Sequence, residues 1–214
     1  MKKNIFTLLS LFMISISYAQ LTYGPKLGGN MSRLTGDKLM PGFQAGAFVN
    51  AELEDRIGLQ IDFLWTLKGN KHEVKTAADT ALNIIAYTTT TKTYYRFVDV
   101  PICVYFPISK HIRAFAGPQI SVFRKGKERT TSTFPGSKEV EKNLSGLQGK
   151  VSLCAGIDLN LDSPIIIGVR FVTNKFTGGT PTTPSSSSGG DTGTKQDSQK
   201  LNCFMINVAY KLEW

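Results

Sequence analysis

The chain has 214 residues, 41% of them hydrophobic, 10% aromatic and 19% charged, with 20 glycines, three cysteines and a formal net charge of +9. That is enough for one ordinary domain, and an adequate apolar fraction without any repeat period excludes collagen, a coiled coil and wholesale disorder. Past residue 20 no apolar run reaches the ~18 residues of a helical membrane span, which leaves a soluble β domain or a transmembrane β-barrel.

Residues 1–19 read as a secretory signal peptide. Lys2 and Lys3 form its basic end, Ile5 to Ile16 its apolar middle, and Ser17-Tyr18-Ala19 a small-x-small cleavage site before Gln20. Cleavage would lower the net charge by two and deliver the remainder across the inner membrane.

A first, weaker strand is expected over roughly 22–31, with Tyr23, Leu27 and Met31 opposite Lys26 and Asn30. In 42–53 the set Phe43, Ala45, Ala47, Val49, Ala51 and Leu53 alternates with Gln44, Asn50 and Glu52. In 56–68, Ile57, Leu59, Ile61, Phe63, Trp65 and Leu67 alternate with Gly58, Gln60, Asp62, Thr66 and Lys68. The fourth strand sets Val98, Val100, Ile102, Val104 and Phe106 against Asp99, Pro101, Cys103 and Tyr105. The fifth sets Ile112, Ala114, Ala116, Ile120 and Val122 against Arg113, Gln119 and Ser121. In the sixth, Val151 to Leu161 alternate with Lys150, Ser152, Asp158 and Asn160. The seventh has Ile165, Ile167, Val169 and Phe171 against Gly168 and Arg170. The last runs from Phe204 through Ile206, Val208, Tyr210 and Leu212 to Trp214, against Asn207, Lys211 and Glu213. This period of two marks half-buried strands, and their length suits a tilted bilayer-spanning strand better than an average globular one.

The connections alternate. A loop of about ten residues, 69–93, 125–147 and 175–200 are long; Glu54-Asp55, Pro107 to Lys110 and Asp162-Ser163 are short. That rhythm places long loops on one rim and tight turns on the other, as in outer-membrane barrels with periplasmic turns and termini. Residues 177–200, rich in Gly, Pro and Ser, are expected to be mobile, with ordering on a protein partner as the alternative.

Period-2 alternation by itself also fits a soluble periplasmic lipocalin-like ligand binder, in which the apolar face turns inward. Three features favour the membrane barrel. Lys26, Asp62, Asp99, Arg113, Lys150, Asp158 and Arg170 share the polar face, carry both signs and can pair inside a narrow lumen. Tyr23, Trp65, Tyr94, Phe106, Tyr210 and Trp214 sit toward strand ends on the apolar face, as interfacial girdles do. The final strand ends on an aromatic residue with apolar positions at every second step, a pattern like the one that hands barrels to their assembly machinery. The fold expected is therefore all-β: an eight-stranded antiparallel up-and-down transmembrane β-barrel with a side-chain-filled lumen.

The segments YGPKLGGNMSRLTG (23–36), GFQAGAF (42–48), IGLQIDFLWTLKG (57–69), VDVPICVYF (98–106) and FAGPQISVF (115–123) resemble the PorT-like outer-membrane β-barrel family of Bacteroidota. Asp62 and Asp99 stand where that family more often has Glu, which preserves the charge. The resemblance implies an eight-stranded barrel in the outer membrane, and no defined activity.

Catalytic, cofactor-binding and metal-binding residues are expected to be none. Cys103, Cys154 and Cys203 lie inside strands without a CxxC or a Cys/His cluster, and read as small half-buried side chains. His111 follows a short turn and belongs to the periplasmic rim; His72 lies on the outer side, in a segment read as loop. A lipid-modifying enzyme needs a nucleophile and a base at the outer rim; His72 has Ser/Thr-rich company on that side, but a lone loop histidine is usually solvated and no catalytic role is expected of it. The positive charges are scattered without an aromatic-interleaved patch, which argues against nucleic acid. Expected partners are outer-membrane lipid and lipopolysaccharide, the barrel assembly machinery during biogenesis, and a protein partner at the outer loops. The role expected is structural, adhesive or in envelope assembly, with a narrow passive channel as the first alternative and a membrane-embedded lipid-modifying enzyme as the next.

Overall fold

A computed structural model describes residues 20–54, 57–78, 85–144, 151–176 and 199–213. The sheet is antiparallel throughout: β1 (Gln20–Leu34), β2 (Met40–Glu54), β3 (Ile57–Thr76), β4 (Tyr87–Pro107), β5 (Ile112–Ser132), β7 (Val151–Asn160), β8 (Ile165–Phe176) and β9 (Gln199–Tyr210) pair in that order. β9 then pairs with β1, from Lys26↔Ala209 to Leu34↔Leu201, and the eight strands close into a ring. Two short strands are appended. β6 (Val140–Leu144) pairs with the outer half of β5, and β10 (Leu212–Glu213) continues β9 against Thr22 and Tyr23. At the break between β9 and β10 the Lys211 N–H donates to Pro164 O at 2.6 Å, so the backbone stays hydrogen-bonded.

The alternation read from the sequence turns apolar residues outward and polar ones inward. Phe43, Phe63, Trp65, Phe106, Ile120, Leu153, Ile167 and Phe204 are exposed, Leu153 at 68%, while Lys26, Gln44, Asp62, Asp99, Ser152, Arg170 and Asn207 are buried. In water this would be a costly exposed apolar surface; against hydrocarbon it is the expected one. The outward set of β3, Ile57 to Leu67, runs for ~33 Å of strand, which at a tilt of ~40° makes a band ~25 Å tall.

The lumen is filled by complementary volumes. A Cβ at Gly58 would lie 2.1 Å from Tyr105 Cζ, and one at Gly156 would lie 2.4 Å from Phe115 Cζ, so these glycines make room for rings entering from neighbouring strands. At the outer end, Gly36 (φ +91°) is the third residue of the turn closed by Asp37 N–H to Leu34 O at 3.0 Å, a position that favours glycine.

The strands run further than the hydrophobic rhythm predicts. Much of 69–93 and 125–147, expected as loop, is strand: β3 and β4 stay paired from Gly69↔Tyr94 to Thr76↔Tyr87, and β5 pairs with β6 from Gly126↔Leu144 to Thr130↔Val140. The extension is built from Thr88 to Thr91 with Thr93, Thr130 and Thr131. Such β-branched residues favour strands yet are polar on both faces, so a hydrophobic period cannot register them. The long connections still gather at this end, and the short ones gather at the other. The signal peptide, Asp55, Lys150, most of 175–200 and Trp214 lie outside the described residues.

Candidate functional site: the charged lumen and the outer rim

Asp62 is the hub of the lumen. From β3 it accepts a bond from Arg170 of β8 at 2.6 Å, from Lys26 of β1 at 3.0 Å and from Gln60 at 2.9 Å. In the ring β3 and β8 are separated by three strands in either direction, so the Arg170–Asp62 pair spans the barrel diameter. Lys26 reaches Asp62 past Gly46, the β2 residue opposite it, which carries no side chain to block the way. All three charges are essentially inaccessible to solvent.

Toward the outer end, Lys68 donates to Asp99 at 2.6 Å, again without exposure. Toward the short-turn end, Arg113 and Asp158 are cross-strand partners of β5 and β7, but their closest approach is 3.9 Å. The four luminal cations among the described residues also share a second feature. Each lies over an inward-pointing ring: Lys26 over Phe48 (5.9 Å), Lys68 over Phe97 (5.1 Å), Arg113 over Tyr105 (4.8 Å) and Arg170 over Phe115 (4.9 Å). A ring face attracts a cation electrostatically and fills volume that water would occupy. Tyr105 stands on the polar face already read from the sequence, whereas Phe48, Phe97 and Phe115, on the same inward parity, are the part of the site that polar alternation does not reveal.

The three cysteines are fully buried rather than half-buried, because the lumen at their level is packed with Tyr105, Phe115, Val172 and Met205. Cys103 Sγ lies 2.9 Å from Cys154 Sγ. Their strands, β4 and β7, flank β5, whose residue between them is Gly117, so nothing separates the two thiols.

At the outer end, the β1–β2 connection folds onto the β3 extension. His72, expected in a loop, stands on β3 because 69–76 is strand; its Nδ1 lies 2.7 Å from Asp37 Oδ1, and Asn70 Nδ2 donates to Asp37 Oδ2 at 2.5 Å. Glu73 pairs with Lys38 and, at 2.5 Å, with Lys71, and these bonds hold its carboxyl down at about 2. On β5 and β6, Lys127 and Arg129 bond Glu141 at 2.7 Å, and Arg129 bonds Glu139 at 2.6 Å. Lys127 and Arg129 hold the Glu141 carboxyl below its ordinary range. His111 lies at the short-turn end, with Nδ1 3.3 Å from Asn160 O, beside an open cleft lined by Asp162, Ser163 and Lys211. Among the described residues no group of His, Cys, Asp and Glu is placed to hold a metal ion.

No family model matches the chain, and no curated protein matches it significantly. Solved structures similar to it include Ail, the attachment invasion locus protein of Yersinia pestis, in complex with the heparin analogue sucrose octasulfate. The identity is 13%, covering 90% of this chain and 99% of that one, with a TM-score of 0.45. Neisserial surface protein A is similar at 10% identity, 90% and 97% coverage and a TM-score of 0.39. The outer membrane protein OprG of Pseudomonas aeruginosa is similar at 14% identity, 92% and 97% coverage and a TM-score of 0.35. At such scores these likenesses carry no functional argument, and the barrel rests on its own strand register and inverted polarity.

Proposed function

We propose that this chain is an integral outer-membrane barrel, exported by the signal peptide of residues 1–19. We further propose that it is closed to solutes and acts through its outer end as a structural, adhesive or envelope-assembly element. The observation that carries this reading is the Arg170–Asp62 pair across the lumen, within a barrel whose outer surface is apolar. Two opposite walls bonded at 2.6 Å, with Lys26 on the same carboxylate oxygen, support a lumen obstructed by its own side chains at that level. An eight-stranded ring is just wide enough for such filling. What remains for function is the end where strands extend beyond the apolar band as a ladder of threonines and ion pairs. The segments that resemble the PorT-like barrels fall on β1 to β5 and support the same location. Contacts with the assembly machinery and with a protein partner at the outer loops belong to this reading.

Two measurements test it. Membrane fractionation with a boiling-dependent gel shift should find the protein in the outer membrane as a folded barrel; recovery as a soluble periplasmic protein overturns the location. Purified protein in planar bilayers should show no unitary conductance. Steady conductance steps from the wild-type chain would overturn the closed lumen and favour a narrow channel.

A further inference from the structure

The outer edge of the apolar band carries a cluster of cations created by a register shift. Between β4 and β5 the pairing runs Val98↔Val122 and Phe97↔Phe123, then jumps to Arg96↔Lys125, leaving Arg124 as an extra residue on β5. In such a bulge two residues of one strand oppose one of the other, and strict in–out alternation is lost there. Phe123 meets the buried Phe97 ring edge to face with centroids 5.7 Å apart, whereas Arg124, Lys125 and the opposing Arg96 are all exposed. Without the bulge, Arg124 and Lys125 would fall on opposite faces.

Two further observations say what this cluster meets. Val98 and Val122 lie next to it on the exterior, so the three cations sit one step beyond the aliphatic band, where lipid headgroups begin. Farther out, Lys127 and Arg129 on β5 are neutralised by Glu139 and Glu141, and Lys71 on neighbouring β3 by Glu73, while Lys92 on β4 stands as a single exposed lysine. No described carboxylate pairs with Arg96, Arg124 or Lys125. Positive charge is thus left uncompensated at the depth of a lipid phosphate.

We propose that Arg96, Arg124 and Lys125 bind the phosphate of an anionic membrane lipid whose acyl chains lie along Val98, Val100, Ile120 and Val122. The inference rests on the membrane reading and names a partner for it. Guanidinium groups suit phosphate because they donate two parallel bonds, and a neighbouring ammonium adds a point charge.

The test uses the full mature chain refolded in zwitterionic phosphatidylcholine vesicles or detergent, with a boiling-dependent gel shift recorded first. Native mass spectrometry then follows titration with a diphosphorylated lipid A probe, its dephosphorylated form, and inorganic phosphate as competitor. Wild-type protein should retain the phosphorylated lipid and release the dephosphorylated one. The triple variant Arg96→Gln, Arg124→Gln, Lys125→Gln should fold normally and lose roughly a hundredfold in affinity. Arg124→Gln alone should lose part of that, and Lys127→Gln with Arg129→Gln should bind as wild type. Unchanged retention by the triple variant, equal binding of the dephosphorylated lipid, or full displacement by inorganic phosphate at lipid-equivalent concentration overturns the site while leaving the barrel intact. Failure of the wild-type chain to insert overturns the membrane reading itself.

Discussion

The barrel uses one kind of interaction in two places. In the lumen, Lys26, Lys68 and Arg170 meet aspartate at 2.6 to 3.0 Å with side chains at most 3% exposed. On the outer extension of β5 and β6, arginine and lysine meet glutamate at 2.6 to 2.7 Å, but the same groups are 40 to 49% exposed. Equal distances do not mean equal consequences. When a luminal partner is removed, the remaining charge has no water to turn to; when a rim partner is removed, solvent takes its place. The lumen is therefore the part of the molecule that can fail, and the rim the part that can vary.

The difference is greatest at Asp62. Asp62→Ala leaves both Lys26 and Arg170 buried without a carboxylate, and should lower stability by roughly 3–5 kcal/mol. Urea titration of the folded, gel-shifting form in detergent micelles measures this, and an unchanged midpoint would show that the cross-lumen pair holds nothing together. Lys26→Met should cost less, because Arg170 keeps its partner. A change of shape rather than charge comes next. Gly58→Val places carbon inside the Tyr105 ring, and overpacking of this kind costs ~1–3 kcal/mol. The double variant with Tyr105→Ala should recover much of the loss if ring and glycine share one space; failure of that rescue would place the strain in the backbone.

How far these regions were legible from the sequence follows from the same contrast. Each strand faces the way its apolar residues imply, because a one-residue slip would turn Phe63 and Trp65 inward and Asp62 out to lipid. The alternation of short and long connections likewise located the two rims. Parity, however, assigns a side and neither a height nor a partner. It placed Lys26, Asp62 and Arg170 inside, whereas the stagger of the strands around the ring decided that they meet. Phe48, Phe97 and Phe115 were hidden for a related reason, since an inward aromatic looks like a fault in the pattern until a cation is found above it. The bulge left a readable trace, for alternation loses phase across Phe123-Arg124-Lys125, but only the pairing of Arg96 with Lys125 shows which way the extra residue turns.

At the rim, Glu141→Gln should leave the unfolding midpoint within measurement error, since it removes bonds that Lys127 and Arg129 can replace with water. A midpoint loss comparable to that of Asp62→Ala would erase the distinction between the two regions.

The finest test of the rim is titration. Glu73 is held down at about 2, against an ordinary 4.5, first by its bond from Lys38 and then by that from Lys71. A carboxyl lowered on folding contributes stability that is fully present above its unfolded value and disappears as pH falls through the folded one. Between pH 4.5 and 7 the contribution of Glu73 should therefore be flat, and it should fade only as pH drops from about 4.5 toward 2. In a carboxyl-carbon NMR titration of the labelled barrel in micelles, the Glu73 resonance should move only in strong acid. Lys38→Met should shift that midpoint upward toward the ordinary value, with Lys71 retaining part of the effect. Because its partner Lys38 is largely exposed, added salt should do the same in the wild-type chain. A Glu73 midpoint near 4.5 at low salt would mean that water, rather than the two lysines, governs this carboxylate, and that the outer extension is held by its backbone ladder alone.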